Sequence, residues 1–473
     1  MRTLGGEWVE EVNGEKSFVS IYKMLETDDR LKQLIQQYKK SRRPLSVDFR
    51  KMVTGLKPDR FTHLIHPYPA KLLMHIPHFF LSNNLLSSPD DTVLDPFCGS
   101  GTVLLESQLS GRKAIGADSN PMARLISKVK TSLTPESKLR NAFLRIVDRI
   151  PYTPTTKLPD VINIKHWFYP HVIKQLHCII EAIMTLRKPH YRDFFLVCFS
   201  NCVRKVSLAD PRLNVPVRLR QGQYPDGHCL REKTDAHIRS LRRINVLNVF
   251  RDVTLNNLQR VALLNNIRSN EQPQIICEDA RNLIYKYTNN GHYGKFVPDE
   301  SVQIVITSPP YAGAQKYVRS MSLSLGWLGM CSSNELRTYK IATIGREEYK
   351  KHEYTQPLVT GIGDADRVLK RIQSVNLLRS HIAANYLVEM KEALSEIVRV
   401  LKPEGYLVLV AANNRICGHN FKTVTYLRII GEQLGLSLKL CLIDHIRSRG
   451  LMTKRNRTSG MITREWVMLF EKG

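Results

Sequence analysis

An α/β fold built on a mostly parallel, Rossmann-like sheet is what this sequence predicts, and three stretches predict it. The first is a short apolar strand, Thr92-Val93-Leu94-Asp95, that runs into Pro96-Phe97-Cys98-Gly99-Ser100-Gly101 and continues as a helical run over residues 102–110, closed by Gly111. It is followed by a second strand, Ala114-Ile115-Gly116-Ala117, ending in Asp118. Strand, glycine turn, helix and a strand that ends in an acid form the βαβ pattern of a nucleotide-binding half. The second stretch is the apolar run 302–307, which leads into Ser308-Pro309-Pro310-Tyr311. The third is the pair Leu436–His445 and 466–471, which reads as a C-terminal hairpin reversing one strand against an otherwise parallel sheet.

The remaining elements follow in order. Residues 1–60 are polar and basic, with a helical patch over 22–40 and no strand pattern, and read as an N-terminal accessory arm. Residues 61–134 hold the first half of the sheet. Residues 135–270 interrupt the α/β rhythm: amphipathic stretches over 171–186 and 241–267 predict helices, Cys198 and Cys202 sit in an apolar helical run, and the Pro- and Arg-rich passage 210–231 reads as an ordered loop. This block is expected to be an inserted helical subdomain. The rhythm returns over 271–473 with the strand ending at Glu278 and Asp279, a basic, loop-rich region over 313–379, a helix over 386–401, and a Lys402-Pro403-Glu404-Gly405 turn into a strand over 406–411. The loop of the final hairpin is basic, with Arg447, Arg449, Lys454, Arg455 and Arg457. No internal repeat or low-complexity tract is present.

The chain has 473 residues, 42% of them hydrophobic and 24% charged, the composition of a soluble globular protein with room for more than one compact unit. Lys and Arg number 70 against 43 Asp and Glu, a formal net charge of +27. A surplus of that size calls for an acidic partner, and nucleic acid is the commonest, because neutralising phosphates releases counterions. No run reaches the ~18 apolar residues of a membrane span, and residues 1–10 lack the apolar core of a signal peptide. The nine cysteines are scattered singly, without disulfide or zinc spacing, so no metal site is expected and a reducing, cytoplasmic, nucleoid-associated setting is.

Glycine lets a backbone approach a ligand closely and adopt positive φ without steric cost, and an acid at the end of the next strand, here Asp118, can accept both hydroxyls of a ribose. The loop is not a phosphate cradle of the Walker type, since no Gly-Lys-Ser/Thr follows, and it lacks the full GxGxxG of nicotinamide enzymes. A nucleoside cofactor without a pyrophosphate, S-adenosylmethionine, suits a shorter glycine loop with acids around it.

Ser308-Pro309-Pro310-Tyr311 suits one kind of chemistry. The exocyclic amine of cytosine or adenine is a poor nucleophile because its lone pair is delocalised into the ring. Methylating it requires acceptors for both N–H groups and alignment with a methyl donor, which is a matter of positioning. A Ser hydroxyl and a Pro carbonyl supply two acceptors, two prolines stiffen the loop and remove N–H donors, and a Tyr ring can stack on a base turned out of the duplex.

On these motifs the chain resembles the bacterial DNA amino-methyltransferases, in particular the N4-cytosine branch of restriction–modification systems. Asp95-Pro96-Phe97-Cys98-Gly99-Ser100-Gly101 is similar to the family's cofactor motif and Ser308-Pro309-Pro310-Tyr311 to its catalytic motif. His66-Pro67-Tyr68-Pro69-Ala70-Lys71, which in the family lines the methionine end of the pocket, Phe199-Ser200 through Asp210-Pro211-Arg212, and residues 447–450 are similar too. The resemblance implies a class I methyltransferase sheet, S-adenosylmethionine held by Pro67, Asp95, Phe97, Cys98, Gly99, Ser100, Gly101, Asp118 on the ribose and Asp279 on the adenine amine, and a target base handled by Ser308, Pro309, Pro310 and Tyr311. It implies double-stranded DNA as substrate and a cognate restriction endonuclease acting on the same site, without requiring that the two bind each other. Ser before Pro-Pro-Tyr is the family tendency for cytosine N4; Asp or Asn there is the tendency for adenine N6.

Three other readings compete. An RNA base-amine methyltransferase shares the cofactor fold but usually carries Asp or Asn before Pro-Pro. A cytosine C5 methyltransferase needs a nucleophilic thiolate in a Pro-Cys pair, and none of the nine cysteines follows a proline. A catalytically inactive DNA-binding regulator would have no need of Gly99, Asp118, Ser308 and Tyr311 together. The target-recognition region falls either in 135–270 or in 313–379.

Overall fold

The computed structural model describes the backbone of residues 2–4, 7–9, 18–57, 59–151, 157–266, 272–285, 295–311, 317–332, 334–446 and 462–473, with side chains described from Thr27 onward. Eight strands form one twisted sheet: β1 (Leu45–Val47), β2 (Thr92–Asp95), β3 (Lys113–Ala117), β4 (Gln274–Cys277), β5 (Val302–Thr307), β6 (Leu401–Ala411), β7 (Leu436–His445) and β8 (Arg464–Lys472). Their spatial order is β1-β7-β8-β6-β5-β2-β3-β4. Every neighbouring pair is parallel except the two that involve β8, which runs against β6 and β7. The expected parallel sheet with one reversed C-terminal strand is therefore present. Its central strands are covered on both faces, which explains why Val302–Thr307 reads as an almost unbroken apolar run rather than an alternating one.

The two largest apolar cores lie on this sheet and beside it. One gathers the sheet and the helices packed on it. The other is helical, centred on Phe143, Phe195, Phe199 and Phe250, and it reaches beyond residues 135–270 at both ends. It takes in Met122 and Ile126 from the helix after β3 and Val318, Leu323 and Trp327 from the region after β5. The basic region 313–379 is more helical than expected, with Ser322–Trp327, Leu336–Ala342 and Gly363–Val375 all helices.

The largest departure is at the N-terminus. The expected arm without a strand is joined to the sheet. Helix α1 (Phe18–Ser41) buries Leu31, Leu34 and Tyr38, at helical spacing, in the sheet core, and β1 pairs in parallel along the outer edge of β7. A three-residue strand is too short for a period-two signal, and its partner lies near the other end of the chain.

The Lys402-Pro403-Glu404-Gly405 turn is a bulge inside β6: the register with β5 shifts between Leu401 and Tyr406. Gly405 is required there, since a Cβ would lie 2.8 Å from the Lys402 carbonyl and 3.1 Å from that of Gln303. All nine cysteines are free. Among the described residues no helix is long and apolar enough to cross a membrane, and no group of His, Cys, Asp or Glu could hold a metal ion. The basic residues within 447–457 lie outside the described residues.

Candidate active site

The chain reverses its direction of travel across the sheet between β2 and β5, which are neighbours. Ligands of open α/β sheets bind in the crevice at the carboxyl ends of the strands at such a switch point. The glycine loop follows β2 and Ser308 follows β5, so the two motifs, far apart in sequence, open into one crevice. Thr307 ties them: its hydroxyl donates to Asp95 Oδ1 at 2.6 Å. The pocket encloses about 850 Å³ of space open to solvent, and its walls include Tyr68, Lys71, Asp95, Phe97, Cys98, Gly99, Ser100, Asp118, Asn120, Glu278, Asp279, Ser308, Pro310 and Tyr317.

The two glycines of the loop do different work. Gly99, at φ +50, faces the pocket, and its amide donates to Asp118 Oδ2 at 2.9 Å. Gly101, at φ +72, sits at the start of α2 (Thr102–Leu109) and does not line the pocket. A Cβ on it would lie 2.9–3.0 Å from Ser127 of α3 (Pro121–Lys130), so this glycine lets two helices approach. Gly101, expected at the cofactor, thus stands off the pocket wall in a packing position.

Asp118 is held by two backbone amides, Gly99 and Asn120, the latter at 2.8 Å. Burial raises its pKa, and those two hydrogen bonds oppose the rise. Asn120 caps α3 through Met122 N at 3.0 Å and also donates toward the Tyr68 hydroxyl at 3.4 Å. Asp95, 3% exposed, is pushed up to about 7 by burial against the hydrogen bonds from Thr307 and the Phe97 amide. Asp279 lines the pocket but is gripped by its own near neighbour: Arg281 Nε and Nη2 donate to its two carboxylate oxygens, each at 2.9 Å. Glu278 beside it pairs with Arg124 at 2.9 Å.

The motif after β5 divides. Ser308 and Pro310 line the pocket, whereas Pro309 is buried behind them. Tyr311 is not on the pocket wall: its hydroxyl donates to Glu465 Oε1 of β8 at 2.7 Å, and Ser308 stands near enough to the phenol to lower its pKa against the larger rise from burial. Burial and the Glu465 carboxylate hold the Tyr311 phenol well above its usual pKa.

The segment before β2 is anchored from beneath. Pro67 is exposed and off the wall, so its expected place at the cofactor falls to its neighbours Tyr68 and Lys71. His66 spans from the Pro67 carbonyl at 2.6 Å to Ser200 at 2.9 Å, and Ser200 lies 2.8 Å from Ser324 of the helical core. Glu106 of α2, 1% exposed, receives Arg60, His63 at 2.6 Å and His78 at 3.0 Å. Burial alone would raise Glu106, but Arg60 and the two histidines outweigh it and hold its carboxyl well below the usual range.

Several wall residues have no clear signal in the sequence. Tyr68 and Lys71 lie inside a motif in which Pro67 is the residue expected at the pocket. Asn120 preceding Pro121 carries a visible helix-start signature. Residues 342–344 and Glu465 have no local signal, because strand order and helix packing bring them to the site.

Sheet order, glycine loop and strand-end acids together define an S-adenosylmethionine-dependent methyltransferase of the Rossmann-like class. Residues 34–128 match the family model described as DNA methylase. Curated proteins similar to this chain include the type II methyltransferase M.MvaI of Kocuria varians, 26% identical over 373 residues that cover 75% of this chain and 77% of that protein. The type II methyltransferase M.BsoBI of Geobacillus stearothermophilus is 23% identical over 74% of this chain and 73% of its own length. Among solved structures, a SAM-dependent methyltransferase from Methanosarcina mazei aligns over 82% of this chain and 94% of its own at 10% identity, with a TM-score of 0.29, too slight a likeness to weigh in the argument. Residues 34–128 are thus similar to DNA methylases, and about three quarters of the chain is similar to type II methyltransferases.

Proposed function

We propose that this protein methylates the N4 amine of a cytosine turned out of duplex DNA at a specific site, by direct displacement. The observation that carries the reading is Ser308 facing the same crevice as Gly99 and Asp118, at the switch point of the sheet. The pocket fits the cofactor: its walls carry Asp95, Asp118, Glu278 and Asp279, a set suited to a sulfonium cation and a ribose and unsuited to a pyrophosphate. Asp118 would hold the ribose hydroxyls through lone pairs left free by Gly99 and Asn120, and Phe97, Gly99 and Tyr68 would flank the cofactor. Asp279, oriented by Arg281, would take the adenine amine. S-adenosylmethionine supplies a methyl group on a positively charged sulfur. Ser308 accepts one N–H group of the target amine, which helps free its lone pair from the ring; Pro309, expected to supply the second acceptor, lies behind the wall. The cofactor held by these residues would offer its methyl carbon to that lone pair and keep the carbon–sulfur electrons on sulfur, and one amine proton would leave to water. Methylation-aware sequencing of DNA from cells expressing the protein, with mass spectrometry of the nucleosides, tests this. N4-methylcytosine at one motif is expected. N6-methyladenine would keep the displacement and reassign the base; 5-methylcytosine, or label entering tRNA and not duplex DNA, would overturn the reading. A nuclease cutting the same site is the expected functional partner.

Residues 210–243 of the helical unit are the better candidate for the DNA-reading surface. Arg220, Lys233, Arg239 and Arg243 are exposed, and among the described residues none of them is ion-paired with a carboxylate. Each region also holds paired cations, Arg212 and Arg231 here and Lys340, Arg346, Arg367 and Arg379 in 313–379, and Arg337, Lys351 and Arg371 of 313–379 are exposed without a carboxylate partner among the described residues, so it is the frame that favours 210–243. The loop is tied down, with Gly222 N on Asp235 at 3.0 Å and Arg242 on Gln221 at 2.8 Å, so its side chains are displayed on an ordered frame. Uncompensated cations suit phosphates, and Arg and Gln suit base edges. Replacing Arg220, Arg239 and Arg243 by Ala should flatten the log–log salt dependence of duplex binding by about 0.9 for each phosphate no longer neutralised. The triple Ala variant of Arg337, Lys351 and Arg371 should leave it unchanged, and the reverse pattern would move the surface to 313–379.

A further inference from the structure

The Tyr311 hydroxyl has a partner 154 positions away, and that partner is an unusual one. Glu465 enters at the start of β8, in register with Asp444 of β7, which places two carboxylates side by side at the end of the sheet. Arg50, in the short helix Phe49–Met52 that follows β1, reaches Asp444 Oδ2 at 3.6 Å and supplies the cation nearest this pair. Carboxylates held away from water are retained at a cost unless they are paired, and the next residues of β8 on the face of Glu465, Val467 and Leu469, are buried and apolar.

A hydroxyl has one proton and two lone pairs, whereas an ionised carboxylate only accepts. For Ser308 to accept an N–H from a base amine, its own proton must point elsewhere. The Tyr311 oxygen can receive it only if the phenol proton is also directed away, and Glu465 is the acceptor that takes it. We propose that Glu465 is a positioning residue that sets the direction of a Ser308–Tyr311–Glu465 hydrogen-bond chain. It fixes the Tyr311 hydroxyl as a donor toward β8, and so holds Ser308 as an acceptor toward the target base. The chain also polarises along its length, which makes the Ser308 oxygen a stronger acceptor. The inference rests on the reading of Ser308 as the acceptor of the amine.

The test is a double-substitution cycle measured in the full-length protein on duplex DNA. Tyr311→Phe and Glu465→Ala should each lower kcat by about tenfold or more, the scale of removing a charge-assisted hydrogen bond, with cofactor and DNA dissociation constants within twofold of the parent. The double variant should be no slower than the slower single one, because each change breaks the same chain. Glu465→Gln, which keeps an acceptor oxygen in the same shape, should recover part of the loss, and it carries the test if Glu465→Ala does not fold. Additive losses, wild-type turnover in Tyr311→Phe, a loss in Glu465→Ala that appears in cofactor affinity rather than kcat, or no recovery in Glu465→Gln would each overturn the proposal. If the parent protein methylates no base amine, the functional reading itself fails. If the parent is active and the cycle is additive, only the hydrogen-bond chain fails.

Discussion

Ser308 and Asp95 face the crevice from the ends of adjacent strands, and each makes a separable prediction. Ser308→Ala should leave cofactor binding intact and lower turnover by ~10², the scale of removing one preorganised hydrogen bond to a transition state. Single-turnover kinetics with calorimetry checks it, and normal turnover would reduce Ser308 to a turn residue. Asp95 is pushed up to about 7 by burial, so it is largely protonated below that pH and ionised above it. Ionisation places a negative charge on the wall of a pocket proposed to hold a sulfonium. The affinity for S-adenosylmethionine relative to its uncharged product, S-adenosylhomocysteine, should therefore rise as pH increases through about 7. The rise should be roughly fivefold, the effect of ~1 kcal/mol of charge–charge attraction, and Asp95→Asn should abolish the trend. An affinity ratio flat from pH 6 to 8 in the parent would remove Asp95 from contact with the charge. At this scale much is legible in sequence. Asp95, Phe97, Gly99, Asp118 and Ser308 all stand in contiguous motifs or at a strand end, and all line the pocket. Gly101 and Pro67 are not separable from them, because a motif records which residues are present and not which of two glycines faces a ligand.

Helix α2 shows how one element supports the site without touching its ligand. It starts at the glycine loop, and its Glu106 gathers Arg60, His63 and His78 from the segment that delivers Tyr68 and Lys71 to the pocket wall. Lys71 donates to the His63 carbonyl at 2.8 Å, which extends the same network to the wall. Glu106→Ala would leave half-buried Arg60 without its anion and His63 and His78 without their hydrogen-bond partner, a change that costs about 3–5 kcal/mol. Urea unfolding should show that loss, and a change below ~1 kcal/mol would mean the network is dispensable. The folded pKa of Glu106 is depressed, so its stabilisation is present above the usual glutamate range and is lost as pH falls through the lower folded value. The stability difference between parent and variant should accordingly shrink on acidification below about pH 4. Sequence places α2 as a helix after a glycine turn. It does not show that the second turn carries an anion for three separate cationic or donor side chains, because those partners lie 28 to 46 residues upstream.

For the whole molecule, the N-terminal segment is the clearest case of tertiary structure overriding composition. A polar, basic stretch reads as an appendage, yet Leu31, Leu34 and Tyr38 are buried in the sheet core and Leu45–Val47 covers the edge of β7. Those three side chains contribute roughly 1.5–3 kcal/mol each on burial, and an uncovered strand edge invites association. A chain beginning at residue 49 should unfold at a markedly lower urea midpoint and aggregate in light scattering, whereas an unchanged midpoint would restore the accessory-arm reading. The sequence alone determined the parallel sheet, the glycine loop, the strand-end acid, the Ser-Pro-Pro-Tyr motif and the basic charge. Each is written in neighbouring residues or in bulk composition, where strand periodicity, turn chemistry and net charge act directly. Tertiary structure alone decided that Gly99 faces the crevice while Gly101 packs helices, that the N-terminus completes the sheet, and that Tyr311 reaches Glu465. Those outcomes depend on strand order and helix packing, which bring together residues as far apart as Leu45 and Leu442 and leave no trace in local pattern.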